Sequence, residues 1–318
     1  MKTYHLIDHP GFGTLHKLLI PVCEFSSNHT LFTPYKGLFY LDENKLFEIN
    51  QSKCRIILHS SGRTDSIYLN HYSTIFPDKK IYIFMHISDE KLLIKDRHST
   101  IGKLITFSNQ GGTVLTPARE VSDQFARWGI RTQSIQMGIP HIEQDNKYSQ
   151  YIDRLSPFYN KIITTCSTDD DLAKFAKGID RFDNLMHKLG LQNQAIVAGT
   201  NNNNGINLPC HQFSSDDFIN ILNHSIAYVQ LSRYETYNLS AVQAKRMRCP
   251  ALILRAEGTP SCMSDDVCDS IEQLENQLTA IMTYGKDQET ISRLFNDSCQ
   301  RAGNIVGASR CKNNKQIK

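Results

Sequence analysis

Short apolar runs alternate with amphipathic stretches along most of the chain, the pattern of βα units built on a mostly parallel sheet. The first run is Tyr4–Asp8, followed by a turn, His9-Pro-Gly-Phe-Gly13, and a helical spacing from Thr14 that puts Leu15, Leu18 and Leu19 on one face. Further strands are predicted at Arg55–Leu58, Lys80–Met85, Lys103–Phe107 and Gly112–Thr116. A helix is predicted over Pro117–Trp128, closed by Gly129 at its C-cap. Between 144 and 157 the pattern weakens into polar residues and tyrosines, which reads as a linker.

A second series then begins. Lys161–Thr165, Gln194–Ala198, Ser225–Leu231 and Ala251–Leu254 read as strands. Leu172–Leu191 reads as one or two helices, Thr200–Gly205 as a loop, and Ser214–Asn223 as a helix opened by Ser-x-x-Asp with Phe218, Ile221 and Leu222 on one face. Helices at Leu239–Met247, Ser270–Tyr284 and Asp287–Gly303 complete the pattern. The expectation is an α/β protein of two Rossmann-like doubly wound domains facing a central cleft. Residues 1–145 would form the first domain and 158–285 the second, with 286–318 a helix packing back toward the first and a basic tail.

Length supports two cores: 318 residues is about twice the ordinary domain. A formal net charge of +3 on a chain this long gives no argument for a nucleic-acid partner. No apolar run reaches the roughly 18 residues of a membrane helix, and the start is too short in apolar residues for a secretory signal. A cytoplasmic protein is therefore expected, with peripheral membrane contact left open. The nine cysteines are scattered and include no C-x-x-C spacing, so they read as reduced thiols rather than as a disulfide framework or a zinc site. Cys262 and Cys268 are the closest pair, and packing explains them. Asp169-Asp-Asp171 contains an Asp-x-Asp, but acidic residues opening a helix are accounted for by its dipole.

Chemistry concentrates between Ser225 and Leu254. A strand ending at Leu231 delivers Glu235 to the carboxyl edge of the sheet, and the helix from Leu239 aims its free N–H groups at the same place. These residues alone fit either an ordinary βα unit with an acidic cap or a phosphate and sugar site. The stretch from Ser232 to Pro250 resembles the second-domain signature of GT-B glycosyltransferases of the family 4 kind, Ser-x-x-Glu-Gly-Phe-Gly-Leu-x-x-x-Glu-Ala-x-x-x-Gly-x-Pro. Ser232, Glu235, Tyr237, Leu239, Ala244 and Pro250 match it. Leu208-Pro-Cys-His-Gln-Phe, Glu257-Gly-Thr-Pro260, Lys177-Gly178 and the segment from Val114 to Gly129 resemble other parts of the family.

The resemblance implies a retaining glycosyltransferase that moves a hexose or N-acetylhexosamine from a nucleoside diphosphate sugar to a glycan, lipid-linked or small-molecule acceptor. It implies no metal and no cofactor beyond the donor, because the departing diphosphate deprotonates the acceptor. By the same resemblance Glu235 holds donor-sugar hydroxyls, Lys177 neutralises the leaving nucleotide, and the strand-end His86 lies near the donor sugar. Pro209, Cys210 and His211 would lie beside the base, and Tyr237, Asn238, Leu239 and Ser240 would cradle the diphosphate. Gln243 would face the ribose, and Gly11 and Gly13 would form the first-domain turn. Gln243 stands where the family has a second glutamate, Thr236 and Asn238 replace glycines, and Arg248 replaces the glycine two residues before Pro250. Cys166-Ser167 occupies the place of the usual Gly-Arg, and Lys174 reads either as a substitute cation or as a solvated helix lysine. These departures motivate a non-catalytic GT-B subunit that binds a glycan or a partner enzyme. A nucleotide-sugar epimerase of the same architecture is the other alternative.

Overall fold

The computed structural model describes residues 1–7, 27–32, 43–60, 74–87, 92–93, 98–135, 146–166, 171–199, 207–235, 238–256 and 267–285. The expected turn with Gly11 and Gly13, the first helix from Thr14, the loop at 200–205, Tyr237 and the helix at 287–303 lie outside these residues. Two compact units emerge. One comprises Met1–Glu143 with Ser232–Leu239 and Ala256–Ser261; the other comprises Gln144–Leu231, Ser240–Arg255 and Cys262–Lys318.

In the first unit, strands β1 (Lys2–Ile7), β2 (His29–Phe32), β3 (Cys54–Ser60), β4 (Lys80–Met85), β5 (Thr113–Thr116) and β6 (Thr132–Ser134) form a six-stranded sheet in the order β2-β1-β3-β4-β5-β6. Every recorded pairing in it is parallel. Alternation along the strands places Tyr4, Leu6, Ile56, Leu58, Ile83 and Met85 in one core. Helices α1 (Glu43–Gln51), α2 (His98–Asn109) and α3 (Arg119–Ala126) contribute Ile49, Ile101, Leu104, Val121 and Phe125 to it.

The predicted strand at Lys103–Phe107 is instead the middle of α2. Its buried positions, Thr100, Ile101, Leu104, Phe107 and Ser108, recur at three- and four-residue intervals. That spacing covers one helix face, and a five-residue window centred on Leu104-Ile-Thr was too short to show it. The helix ends earlier than predicted, with Arg127 as its C-cap; Gly129, two residues on, takes the left-handed φ of +75° and its N–H donates to the Ala126 carbonyl.

The second unit repeats the architecture with β7 (Ile162–Cys166), β8 (Ala195–Gly199), β9 (Cys210–His211), β10 (Ala227–Gln230), β11 (Ala251–Leu254) and β12 (Val267–Cys268), in the order β12-β11-β10-β7-β8-β9. These strands are also parallel. Its core joins Ile162, Val197, Val229, Leu252 and Leu254 to Phe182, Met186, Leu274, Leu278 and Ile281 from the covering helices.

The expected linker is not structureless. It carries a short helix, α4 (Asn146–Ser149), and a 3₁₀ segment at Asp153–Phe158. Both are tied to a longer helix of the second unit, Ser215–Asn223: buried Asn220 donates to the carbonyls of Tyr148 and Gln150 and accepts from the Tyr159 hydroxyl at 2.6 Å. The predicted cap of that longer helix is present, with the Asp217 N–H donating to Ser214 Oγ. The polar, tyrosine-rich composition thus goes with a hydrogen-bonded strap.

Of the one or two helices expected over Leu172–Leu191 the structure has two, α5 (Asp171–Lys177) and α6 (Ile179–Lys188), broken at Gly178, which adopts φ 66° and ψ 35°. Three more helices, α7 (Ser215–Asn223), α8 (Leu239–Arg246) and α9 (Ile271–Tyr284), complete the described part of this series. Among the described residues no helix is long and apolar enough to cross a membrane.

Candidate functional site

In the second sheet the chain runs outward through β7, β8 and β9, then returns to place β10 on the other side of β7. Such a reversal of strand order opens a crevice at the carboxyl ends of the two flanking strands. The segment after β10 is the one singled out from sequence. Ser232, Glu235 and Asn238 are all buried although polar, and Ser232 Oγ donates to Glu235 Oε2 at 3.3 Å. A carboxylate with 7% exposure is costly unless it is held by donors.

Helix α8 follows directly. Its inward residues are the fully buried Ala241 and Ala244. Leu239, Ser240 and Gln243 are half-buried. The helix closes in a Schellman motif: Cys249 N–H donates to the Ala244 carbonyl at 2.9 Å, and Arg248 N–H to the Lys245 carbonyl at 3.1 Å. Arg248 carries the left-handed conformation of that motif, φ +57°. A position of this conformation favours glycine, and here an arginine fills it.

Lys177 ends α5, and the next residue, Gly178, lies against backbone. A Cβ on Gly178 would lie 1.9 Å from the Leu231 carbonyl oxygen and 2.6 Å from its carbon. The Lys177-Gly178 junction is therefore packed against the backbone that leaves β10. Lys174 is mostly buried along its stem and pairs with exposed Asp171 at 3.0 Å, which makes it part of the first turn of α5.

At the other edge of this sheet, Pro209 precedes β9 and its carbonyl accepts from the Val197 N–H at 2.9 Å. Pro209 is exposed, Cys210 is buried and His211 is half-buried. The His211 ring meets Phe158 edge-on at 4.7 Å, and Phe158 meets Phe213 at 5.0 Å. Three partly exposed rings of this kind form a surface on which a planar group can stack. Phe158 and Phe213 were not singled out from sequence, since Phe158 lay at the boundary of the presumed linker. The signal available was Phe213 two residues beyond His211, one strand period along.

In the first unit, His86 follows β4 and its N–H donates to the Ser60 carbonyl at 2.9 Å. It does not stand alone. His86 Nε2 lies 2.9 Å from His59 Nδ1, His59 Nε2 lies 2.9 Å from His5 Nδ1, and His5 Nε2 lies 2.9 Å from His29 Nδ1. Adjacent rings are stacked with centroids 5.2 Å apart. Burial holds the His86 imidazole down to about 3 and, with His29 and Arg55 nearby, His5 down to about 4. His59 is pushed well below its ordinary value by burial and by the rings on either side of it. Among the described residues no three His, Cys, Asp or Glu side chains are grouped to hold a metal ion.

No family model matches the chain, and a search of curated proteins finds no match. Solved structures do match. The fold is shared with trehalose-6-phosphate synthases. OtsA, a trehalose-6-phosphate synthase, aligns over 100% of this chain and 100% of its own with a TM-score of 0.63 at 11% identity. An E. coli trehalose-6-phosphate structure bound with UDP-2-fluoro glucose aligns over 100% of both chains, with a TM-score of 0.60 at 11% identity. The N-terminal domain of Candida albicans trehalose-6-phosphate phosphatase covers 92% of this chain and 85% of its own, with a TM-score of 0.56 at 10% identity. The pair of Rossmann-like parallel sheets expected of the GT-B architecture is present.

Proposed function

We propose that the chain is a glycosyltransferase of the retaining, nucleotide-sugar-dependent kind, with donor residues on the segment that follows β10. The observation that carries this reading is the buried Ser232–Glu235 pair between β10 and α8, beside the topological switch of a sheet whose fold is shared with sugar-nucleotide enzymes. A carboxylate in that position accepts from sugar hydroxyls, which are strong neutral donors. The N-terminus of α8 at Leu239 and Ser240 offers backbone N–H groups and the positive end of a dipole to a diphosphate. Lys177, fixed in place by Gly178, supplies a cation for the leaving nucleotide. The rings of His211, Phe158 and Phe213 offer the stacking surface for its base.

Several neighbours are named as UDP-forming, and one is in complex with glucose-6-phosphate. A uridine diphosphate sugar and a sugar-phosphate acceptor are accordingly the first pair to try, ahead of glycan and lipid-linked acceptors. The transfer we propose needs no metal, because a donor phosphate oxygen takes the acceptor proton as the glycosidic bond to the nucleotide breaks and the new bond forms on the same face. Gln243 in place of the ribose-gripping glutamate favours one second reading, a non-catalytic subunit that keeps the fold and binds a glycan or partner enzyme. Incubation with a panel of nucleotide sugars, with and without acceptors, and measurement of nucleotide release separates the two. The transferase reading predicts acceptor-dependent release. No release together with no thermal shift by any nucleotide would exclude it.

A further inference from the structure

The four histidines of the first unit occupy a regular diagonal across four neighbouring strands. Opposite His29 on β2 stands Thr3, and His5 lies two residues further along β1. Opposite His5 stands Ile57, and His59 lies two further along β3. Opposite His59 stands Phe84, and His86 lies two further along the chain. A constant stagger of two keeps all four side chains on one face, the face opposite Tyr4, Leu6 and the apolar core. The two middle rings are buried, while His29 and His86 at the ends are partly exposed as residues.

Each link joins Nε2 of one ring to Nδ1 of the next, always in the same sense. A row of neutral imidazoles connected in this way has two self-consistent states. Either every ring carries its proton on Nε2 and donates toward His29, or every ring carries it on Nδ1 and donates toward His86. We propose that His29, His5, His59 and His86 form a proton wire along the first sheet, which carries a proton between His86 and solvent at His29.

The step balances. In the first state a proton arrives at His86 Nδ1; His86 passes its Nε2 proton to His59 Nδ1, His59 to His5 Nδ1, and His5 to His29 Nδ1. His29 then releases its own Nε2 proton to water. One proton enters and one leaves, and all four rings end neutral in the other tautomer. The surroundings favour passing a proton over storing it. Arg55, whose Nε donates to Thr3 Oγ1, opposes positive charge on His5 and His29, and Phe84 stacks against His59 and His86 at 5.4 and 4.5 Å. Burial disfavours the imidazolium in the middle of the row.

The test uses the full-length protein with ¹⁵N-labelled histidine and no substrate, so its outcome is independent of transfer. The wire predicts through-hydrogen-bond nitrogen–nitrogen couplings for all three pairs and the same neutral tautomer in every ring. Missing coupling at His5–His59, or opposite tautomers in adjacent rings, would overturn it. His5→Gln keeps a donor and an acceptor in the row but cannot relay a proton, and His29→Gln closes only the His29 end; each is combined with His86→Gln, which closes the other partly exposed end. Exchange of the His59 ring proton with deuterium is expected to slow by at least about tenfold in either double variant relative to His86→Gln alone, with the melting temperature near that of His86→Gln. Exchange at the His86→Gln rate in a folded double variant would show that the row is structural only.

Discussion

Replacing Gly178 with alanine probes the contact that fixes Lys177 against the end of β10. Two costs arise from the structure. The residue sits at φ 66° and ψ 35°, a left-handed conformation that costs an L-residue about 1–2 kcal/mol. The added Cβ would also fall 1.9 Å from the Leu231 carbonyl oxygen, and since that atom is backbone, the α5–α6 junction must separate from the strand. Overpacking of this kind costs about 1–3 kcal/mol. The total expected is about 2–5 kcal/mol, read as a lower urea midpoint by far-UV circular dichroism.

Gly190 supplies the control. It has nearly the same φ, +67°, but a Cβ there meets nothing within 4 Å, so Gly190→Ala should show the conformational cost of about 1–2 kcal/mol alone. Equal midpoints for the two variants would refute the close approach to Leu231. A folded Gly178→Ala should also bind nucleoside diphosphate more weakly, because Lys177 moves with its neighbour.

Arg248→Gly should raise stability by about 0.5–1 kcal/mol, since it removes left-handed strain at φ +57° but adds unfolded-state entropy; calorimetry should show a higher melting temperature, and a lower one would contradict the Schellman assignment. Lys177→Ala should weaken nucleoside diphosphate binding by about 1.5–3 kcal/mol in calorimetric titration, and unchanged affinity would move the phosphate site elsewhere. His5 gives a pH dependence. Its folded value of about 4 lies below the ordinary 6.5, so the unfolded chain binds more protons between those limits. Stability from this group is complete above pH 6.5 and falls by about 3 kcal/mol on descent to pH 4. His5→Gln should flatten that part of the urea-midpoint profile, and an identical slope in the variant would contradict a buried neutral ring.

Much of the architecture was legible because apolar runs with the right period are local. β4 and β11 appear with their predicted limits, and the cap at Ser214 and the left-handed glycine at 129 follow from residue type. Two-residue edge strands such as β9 and β12 carry too few positions for a period, and β2 was missed for a similar reason. Helix α2 was misread because a five-residue window around Leu104 fits a strand as well as a helix. His86 was visible as a strand-end histidine, but its partners were not, because only strand register joins residues 24 to 54 positions apart. The aromatic group at His211 likewise depends on where the strap from Asn146 to Phe158 docks. Local sequence found β10 and the helices around Glu235 and Lys177. It did not show why Gly178 is a glycine, or that Arg248 takes the conformation of the glycine it replaces.

The central claim is that Glu235, buried with Ser232 after β10, holds the donor sugar. Nucleotide release from uridine diphosphate glucose, measured with a sugar-phosphate acceptor for the parent protein and for Glu235→Ala at matched melting temperature, tests it most directly. The account predicts acceptor-dependent release by the parent and a loss of at least about 100-fold in the variant, equivalent to about 2.7 kcal/mol of transition-state stabilisation. Activity retained within a few-fold in Glu235→Ala would contradict it.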